Sequence, residues 1–202
     1  MRIIDLTMPV GTQTPRFLSD PEPTFKQIAF IDKEGWNSHL ISFHTHLGTH
    51  IDAPYHMLAG GRMTSDYPIE KLVGSAVLID VRGQKEIDAD LKGVEAGDIV
   101  ILRTDHSLKY SASDYFSATP VVSQNLAEKI AQKKVSLVGI DAYTMDLSPF
   151  EIHKKWLSRD ILILENLINL DRIKAERFNI FILPLKLEKM DGAPCRVIAQ
   201  IP

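Results

Sequence analysis

Short apolar runs recur along this chain, separated by polar and glycine-containing segments. Ile3–Leu6, Phe25–Ile31, Asn37–His46, Ala76–Val81, Ile99–Arg103, Val135–Ile140, Ile161–Leu164, Ile180–Leu187 and Cys195–Ile201 read as strands. One amphipathic helix runs from about Gln124 to Gln132, with Leu126, Ala127, Ile130 and Ala131 on one side, and a shorter one spans Pro68–Leu72. A third helix starts at Ser148, which reads as an N-cap followed by Pro149 at the first helical position and Glu151 completing a capping box. Phe150, His153 and Leu157 then share one face of that helix. Gly60-Gly61, Gly93 and Gly97 read as turns within one fold, and there is no repeat, low-complexity tract or interdomain linker. Many strands and few helices predict a mixed α/β fold with a curved or barrel-like sheet, residues 1–202 forming a single domain.

Composition narrows the partners. A chain of 202 residues is large enough to bury roughly 70% of its unfolded surface. The net charge is −3 with both signs interspersed, so neither nucleic acid nor an anionic membrane is an expected partner. No apolar run approaches the ~20 residues of a membrane span, and Met1-Arg2-Ile3-Ile4-Asp5 lacks a signal-peptide core. Cys195 is the only cysteine, so no intrachain disulfide forms, and a reducing cytoplasm is the expected location. A lone cysteine in a closing strand reads as a packing residue rather than a catalytic thiol.

Histidine is distributed very unevenly. Of seven in the chain, His39, His44, His46, His50 and His56 fall within eighteen positions. Histidine is only an intermediate core residue, so fold stability does not explain the crowding. Taken singly, each reads as a polar loop residue. Together with Asp52 they supply the imidazole nitrogen and carboxylate oxygen that suit Zn, Mn, Fe or Co. His46 and His50 have the spacing of a helical H-E-x-x-H zinc motif, but Leu47 stands where that motif needs its glutamate. Gly48, Thr49, Ile51 and Pro54 also argue against a helix interior. A strand running into a turn fits better: Ser42, His44 and His46 on one face, Ile41, Phe43 and Thr45 on the other. Gly48 then lets the backbone turn, bringing His50 and Asp52 back toward His46 while Pro54 holds His56 nearby.

Further ligands must come from elsewhere, and two candidates stand out. His153 points inward with the apolar stripe of its helix, where the alternative is a core histidine bonded to a carbonyl. Glu165 stands at the C-terminal end of the Ile161–Leu164 strand, where ligands gather in open α/β sheets. Its alternative is a capping or turn carboxylate.

These residues carry a resemblance. His46-Leu47-Gly48-Thr49-His50-Ile51-Asp52-Ala53-Pro54-Tyr55-His56 resembles the H-x-G-T-H-x-D-x-P-x-H motif of the cyclase family of metal hydrolases, which includes bacterial kynurenine formamidases and isatin hydrolases. Val138-Gly139-Ile140-Asp141 is similar to the family's G-[IT]-D segment. His153 and Glu165 lie at the spacing of its distal ligands. Pro184-Leu185-Lys186-Leu187 and Asp191-Gly192-Ala193-Pro194 resemble its closing segments, so the likeness covers almost the whole chain. Three departures stand out. Phe17-Leu18-Ser19-Asp20-Pro21 lacks the family's Pro-Gly turn, Arg103-Thr104-Asp105 replaces R-T-G, and Thr144 replaces the serine of G-x-D-x-x-S-x-D.

The resemblance implies a metal-dependent hydrolase acting on a small amide or cyclic amide, with one or two divalent ions, Zn or Mn, per chain. It implies that His46, His50 and Asp52 hold one ion and that Asp52 bridges to a second held by His153 and Glu165, with Glu165 touching both. His56, the histidine the family leaves outside the metal shell, is then the proton shuttle. Phe17 is expected to cover the substrate ring, and the resemblance implies a homodimer or higher homo-oligomer. His44 reads as structural, its alternative being a hydrogen-bond partner of the ligand histidines. The alternatives are ring-opening of a cyclic imide such as isatin, a cyclisation on the same metal site, or a non-catalytic metal-binding protein. A structural zinc site is normally closed by four Cys or His ligands, which disfavours the last.

Overall fold

The computed structural model describes residues 1–17 and 19–201; Leu18 lies outside them. Its centre is a closed ring of seven strands: β4 (His50–Asp52), β5 (Val73–Asp80), β7 (Ile99–Arg103), β9 (Leu137–Ile140), β10 (Leu162–Glu165), β11 (Arg177–Pro184) and β12 (Gly192–Ile201). Closure depends on β12. Its residues Cys195–Gln200 pair with β11, while Gly192–Pro194 pair with β4. β1 (Arg2–Asp5) joins as an eighth strand beside Ile198–Ile201. The run β5-β7-β9-β10 is parallel and the remaining ring pairings are antiparallel. The barrel-like sheet read from the apolar spacing is thus present, and mixed; outside it, β6 (Glu86–Ile87) and β8 (Val121–Val122) form a short parallel pair.

Alternation along the strands separates two cores. Ile99 and Ile101, Leu162 and Leu164, and Ile51 join a cluster fed by every strand of the ring, which fills the barrel. Val100, Leu102, Val138, Ile140 and Ile163 face outward, against helices α1 (Gln124–Lys133) and α2 (Glu151–Leu157). Both faces of the parallel strands are therefore covered, which accounts for their unbroken apolar runs. On α1, Leu126, Ala127, Ile130 and Ala131 are the buried face read from the sequence, and Ser123 caps the helix by accepting the Leu126 N–H at 3.0 Å. The α2 indole of Trp156 is fully buried and donates to the Ala127 carbonyl at 3.0 Å, locking the two helices together. The expected helix at Pro68–Leu72 is a single 3-10 turn, Ile69–Lys71.

Two local expectations are corrected. The strand expected over Asn37–His46 ends at Ser42; among the described residues β3 (Ser38–Ser42) pairs only with β2 (Thr24–Ala29), in a separate hairpin. His44 and His46 lie in the following loop, so no strand face carries them. Leu47 N–H bonds the His44 carbonyl at 3.3 Å, and the Thr45 hydroxyl donates to Asp191 at 3.0 Å, so the chain turns into the barrel wall instead of extending. The helix start also differs. Ser148 does not cap α2; the cap position is Phe150, in left-handed conformation, and the Asp146 carboxylate accepts the Ile152 N–H at 2.6 Å. An ionised carboxylate makes the stronger, charge-assisted bond to a helix N-terminus.

Candidate metal centre

Strand register assembles the site. In β4, Ile51 points into the barrel, so His50 and Asp52 point out on the opposite face. β10 repeats the pattern, with Leu164 inside and Ile163 and Glu165 outside. Glu165 pairs with His50 and Ile163 with Asp52, placing both carboxylates and one imidazole on the same patch of outer wall. From the other side, α2 brings in His153. His46 and His56 flank β4, one before the Gly48 turn and one after Pro54. Gly48 has φ of +66°, a left-handed value suited to glycine, and the turn there lets His46 and His50 face the same carboxylate.

His50 donates from Nδ1 to the Gly48 carbonyl at 2.8 Å, and His153 donates from Nδ1 to the Asp146 carboxylate. In a neutral ring each Nε2 therefore carries a lone pair. His50 Nε2 stands 3.4 Å from Asp52 Oδ1 and 3.5 Å from Glu165 Oε2. His153 Nε2 stands 3.2 Å from Glu165 Oε1 and 3.7 Å from Asp52 Oδ2. His46 Nδ1 is 2.7 Å from Asp52 Oδ1. Each carboxylate thus offers one oxygen to His50 and the other to His153. Four of these side chains, His50, Asp52, His153 and Glu165, are buried. Burying two carboxylates beside ring lone pairs is costly unless a cation lies among them, and the nitrogen and oxygen donors suit a borderline divalent ion. The donor set fits a metal. His50, Asp52 and Glu165 converge closely enough to share an ion, as do His46, Asp52 and His56.

Without metal, protons take the cation's place. Burial would lower His46, but the Asp52 charge and the bonds to Asp191 and Asp52 hold it up at about 10. Burial likewise opposes charge on His153, yet Asp146 and Glu165 hold it at about 10. Burial would raise Asp52, and the His46 and His50 imidazoles bring it well below the usual carboxylate range. His56 behaves differently. Burial pulls it below the ordinary histidine value, outweighing the pull of Asp52, so it is neutral at pH 7.

The structure therefore brings together all six residues named from the sequence for metal and proton transfer. Phe17 reaches the same cavity, of about 750 Å³, whose lining joins the histidines and carboxylates with Phe17, Phe116, Tyr143 and Phe150, the last edge-on to His153 at 6.0 Å. The Phe17 ring stacks near Tyr143 at 6.2 Å and meets Phe116 edge-on at 5.9 Å. His44 lines the cavity too, with Nε2 3.7 Å from Asp20. Asp141 is absent from it. Asp141 accepts the Thr104 N–H and hydroxyl, both at 2.7 Å, and the Asp105 N–H at 2.9 Å, so it anchors the loop after β7. Asp105 has φ of +60°, a value that glycine takes freely and a short acidic side chain tolerates. Thr144 keeps a hydroxyl at the motif's serine position and donates to the Asp146 carbonyl at 2.8 Å.

Two residues escaped the sequence reading. Asp146, the last position of the segment beginning Gly139-Ile140-Asp141, both caps α2 and orients His153. Asp191, the first position of Asp191-Gly192-Ala193-Pro194, lies 2.8 Å from His46 Nε2 and 3.2 Å from His56 Nδ1. Their places in the two motifs were the available signal. Gly192 is needed beside them, since a Cβ there would lie 2.7 Å from His46 Cε1 and 2.9 Å from the Ile51 carbonyl oxygen.

A closed mixed α/β barrel thus carries on its outer wall an imidazole-carboxylate cluster that could hold a metal ion. The model of the "Putative cyclase" family matches residues 4–147, and the chain belongs to that cyclase family. A kynurenine formamidase of Erythrobacter litoralis is 31% identical over 98% of this chain and 94% of its own length. A solved structure described as a potential metal-dependent hydrolase with cyclase activity superposes with a TM-score of 0.83 at 28% identity, covering 100% of this chain and 99% of that one. Isatin hydrolase A from Ralstonia solanacearum superposes with a TM-score of 0.86 at 25% identity, covering 98% and 91%.

Proposed function

We propose that this chain is a metal-dependent amidohydrolase that opens a small amide or cyclic amide, with arylformamidase-like chemistry. The observation that carries the proposal is the division of Asp52 and Glu165 between two groups of imidazoles. His46 Nδ1, His50 Nε2, Asp52 Oδ1 and Glu165 Oε2 would hold one ion. His153 Nε2, Asp52 Oδ2 and Glu165 Oε1 would hold a second. Zinc or manganese bound there supplies Lewis acidity toward a carbonyl oxygen and lowers the pKa of water.

The protein's own groups do the rest. His56, neutral at pH 7 and bonded through Nδ1 to Asp191, has Nε2 available to take a proton from water and return it to the leaving nitrogen. Atoms balance in this scheme: water adds across the C–N bond, its oxygen going to the carbonyl carbon and its protons to nitrogen and the new acid. The packed rings of Phe17, Phe116 and Tyr143 in the cavity wall would hold the substrate's flat portion and limit water there.

Within this class, the missing Pro-Gly turn after Phe17 favours a substrate other than N-formylkynurenine. Leu18, in that segment, lies outside the described residues. Isatin and related cyclic amides are the second reading, supported by the similarity to isatin hydrolase A. The test is a turnover screen of N-formylkynurenine, isatin and small cyclic amides, each with zinc and with manganese. Metal-dependent turnover of any of them is expected; a metal-replete protein inert toward all of them would contradict the proposal.

A further inference from the structure

We propose that Asp191 is a positioning residue shared by a metal ligand and the proton carrier, one carboxylate fixing the tautomer and ring orientation of both His46 and His56. The assignment rests on the roles given to those two histidines above. Asp191 Oδ2 lies 2.8 Å from His46 Nε2 and 3.2 Å from His56 Nδ1, while Oδ1 accepts the Thr45 hydroxyl at 3.0 Å. An ionised carboxylate only accepts hydrogen bonds, so both rings must turn an N–H toward it. When an ion takes the place of the proton between His46 and Asp52, His46 keeps its remaining proton on Nε2, and Nδ1, 2.7 Å from Asp52 Oδ1, would be the ligand atom. His56 carries its proton on Nδ1, which leaves Nε2 as the basic atom. The two rings are held 4.1 Å apart, at 40° to each other.

The fold places Asp191 for this. Its carbonyl accepts the Ala53 N–H at 2.9 Å, and the next residue, Gly192, pairs with Asp52 at the start of β12. The strand that closes the barrel therefore delivers the carboxylate between the two histidines that flank β4. Thr45 occupies the remaining oxygen, so Asp191 cannot swing away without losing that bond. Partners of this kind commonly contribute about 10–100-fold to metal affinity or activity.

The test is Asp191→Asn in full-length, zinc-loaded protein, with three measurements. Zinc affinity is read by chelator competition, histidine ring tautomers by 15N NMR, and turnover by steady-state kinetics on whichever substrate the screen identifies. We expect zinc affinity to weaken by about 10–100-fold. His56 should change from a single Nδ1–H tautomer to an averaged signal, and kcat should fall at least about tenfold with KM little changed. Thr45→Val, which frees Asp191 Oδ1 without touching either ring, should move the same readings in the same direction by less. If Asp191→Asn does not fold, Thr45→Val decides. Unchanged zinc affinity or an unchanged His56 tautomer in the deciding variant would overturn the assignment. Neither reading needs a substrate: if both respond while wild-type protein hydrolyses nothing, the hydrolase reading fails, and the fixing of both rings by Asp191 stands without it.

Discussion

Glu165 and His50 sit opposite each other across β10 and β4, with Glu165 Oε2 3.5 Å from His50 Nε2. Both are buried, and the His50 ring proton is committed to the Gly48 carbonyl. A carboxylate and a lone pair held face to face inside a protein need a cation, and barrel register alone creates that need. The ligand and shuttle roles proposed above are separated by two substitutions.

His50→Ala removes a nitrogen from this arrangement, so we predict loss of metal together with activity. His56→Ala should keep near-native metal content while kcat falls by about 10²–10⁴, the usual range for a general acid–base. Metal content and kcat measured on both variants check this. Equal metal loss in the two would make His56 a ligand, in keeping with its convergence on His46 and Asp52.

Phe17→Ala should change KM and the ranking of substrates more than it changes metal content. Its ring lines the cavity, stacked near Tyr143 at 6.2 Å, and none of its atoms is a metal donor. Parallel kinetics on two substrates and metal analysis of the variant test this. A variant that loses metal while its substrate ranking is unchanged would show that Phe17 supports the centre instead.

Much of the site was legible because it is local. The stretch from His46 to His56 brings two imidazoles and a carboxylate together around one glycine turn, and the left-handed conformation at Gly48 is the local part of that arrangement. Glu165 was legible from its place at the end of an apolar strand, but its contact with His50 depends on register between strands more than a hundred residues apart in the chain. Asp191 and Asp146 were not legible as partners, since nothing near them in sequence says which ring they will meet. The barrel itself followed from the apolar spacing, and the β2–β3 hairpin shows the limit of such reading. Its alternation continues in sequence to His46, yet the strand stops at Ser42, because bonds made by Thr45 and Leu47 turn the chain toward the barrel.

Gly192→Ala should destabilise the protein by about 1–3 kcal/mol, the usual cost of forcing a methyl into a packed site. The added Cβ would meet the His46 ring at 2.7 Å and the Ile51 carbonyl oxygen at 2.9 Å, and the second cannot yield without moving β4. Metal affinity should weaken in the same variant, because the His46 ring must shift. Denaturant unfolding and chelator competition measure the two effects; native values of both would mean that β12 relaxes freely.

Metal-free protein should have a characteristic pH dependence. His46 and His153 are held at about 10 in the folded chain, above the ordinary value of 6.5 that they regain on unfolding. A raised histidine contributes stability that is fully present below about pH 6.5 and lost as the pH rises through about 10. Thermal melts of chelator-stripped protein should therefore show Tm falling between those limits. Added zinc should oppose the fall, since it binds the neutral rings and displaces their protons. A flat Tm in the stripped protein would contradict the assigned ion pairs.

The most direct measurement is elemental analysis of purified protein, before and after treatment with a strong chelator, paired with the activity of each sample. We predict one or two divalent transition ions per chain, lost with activity on chelation and restored with it by zinc or manganese. Protein that contains no metal and keeps its activity in chelator would contradict the metal centre outright.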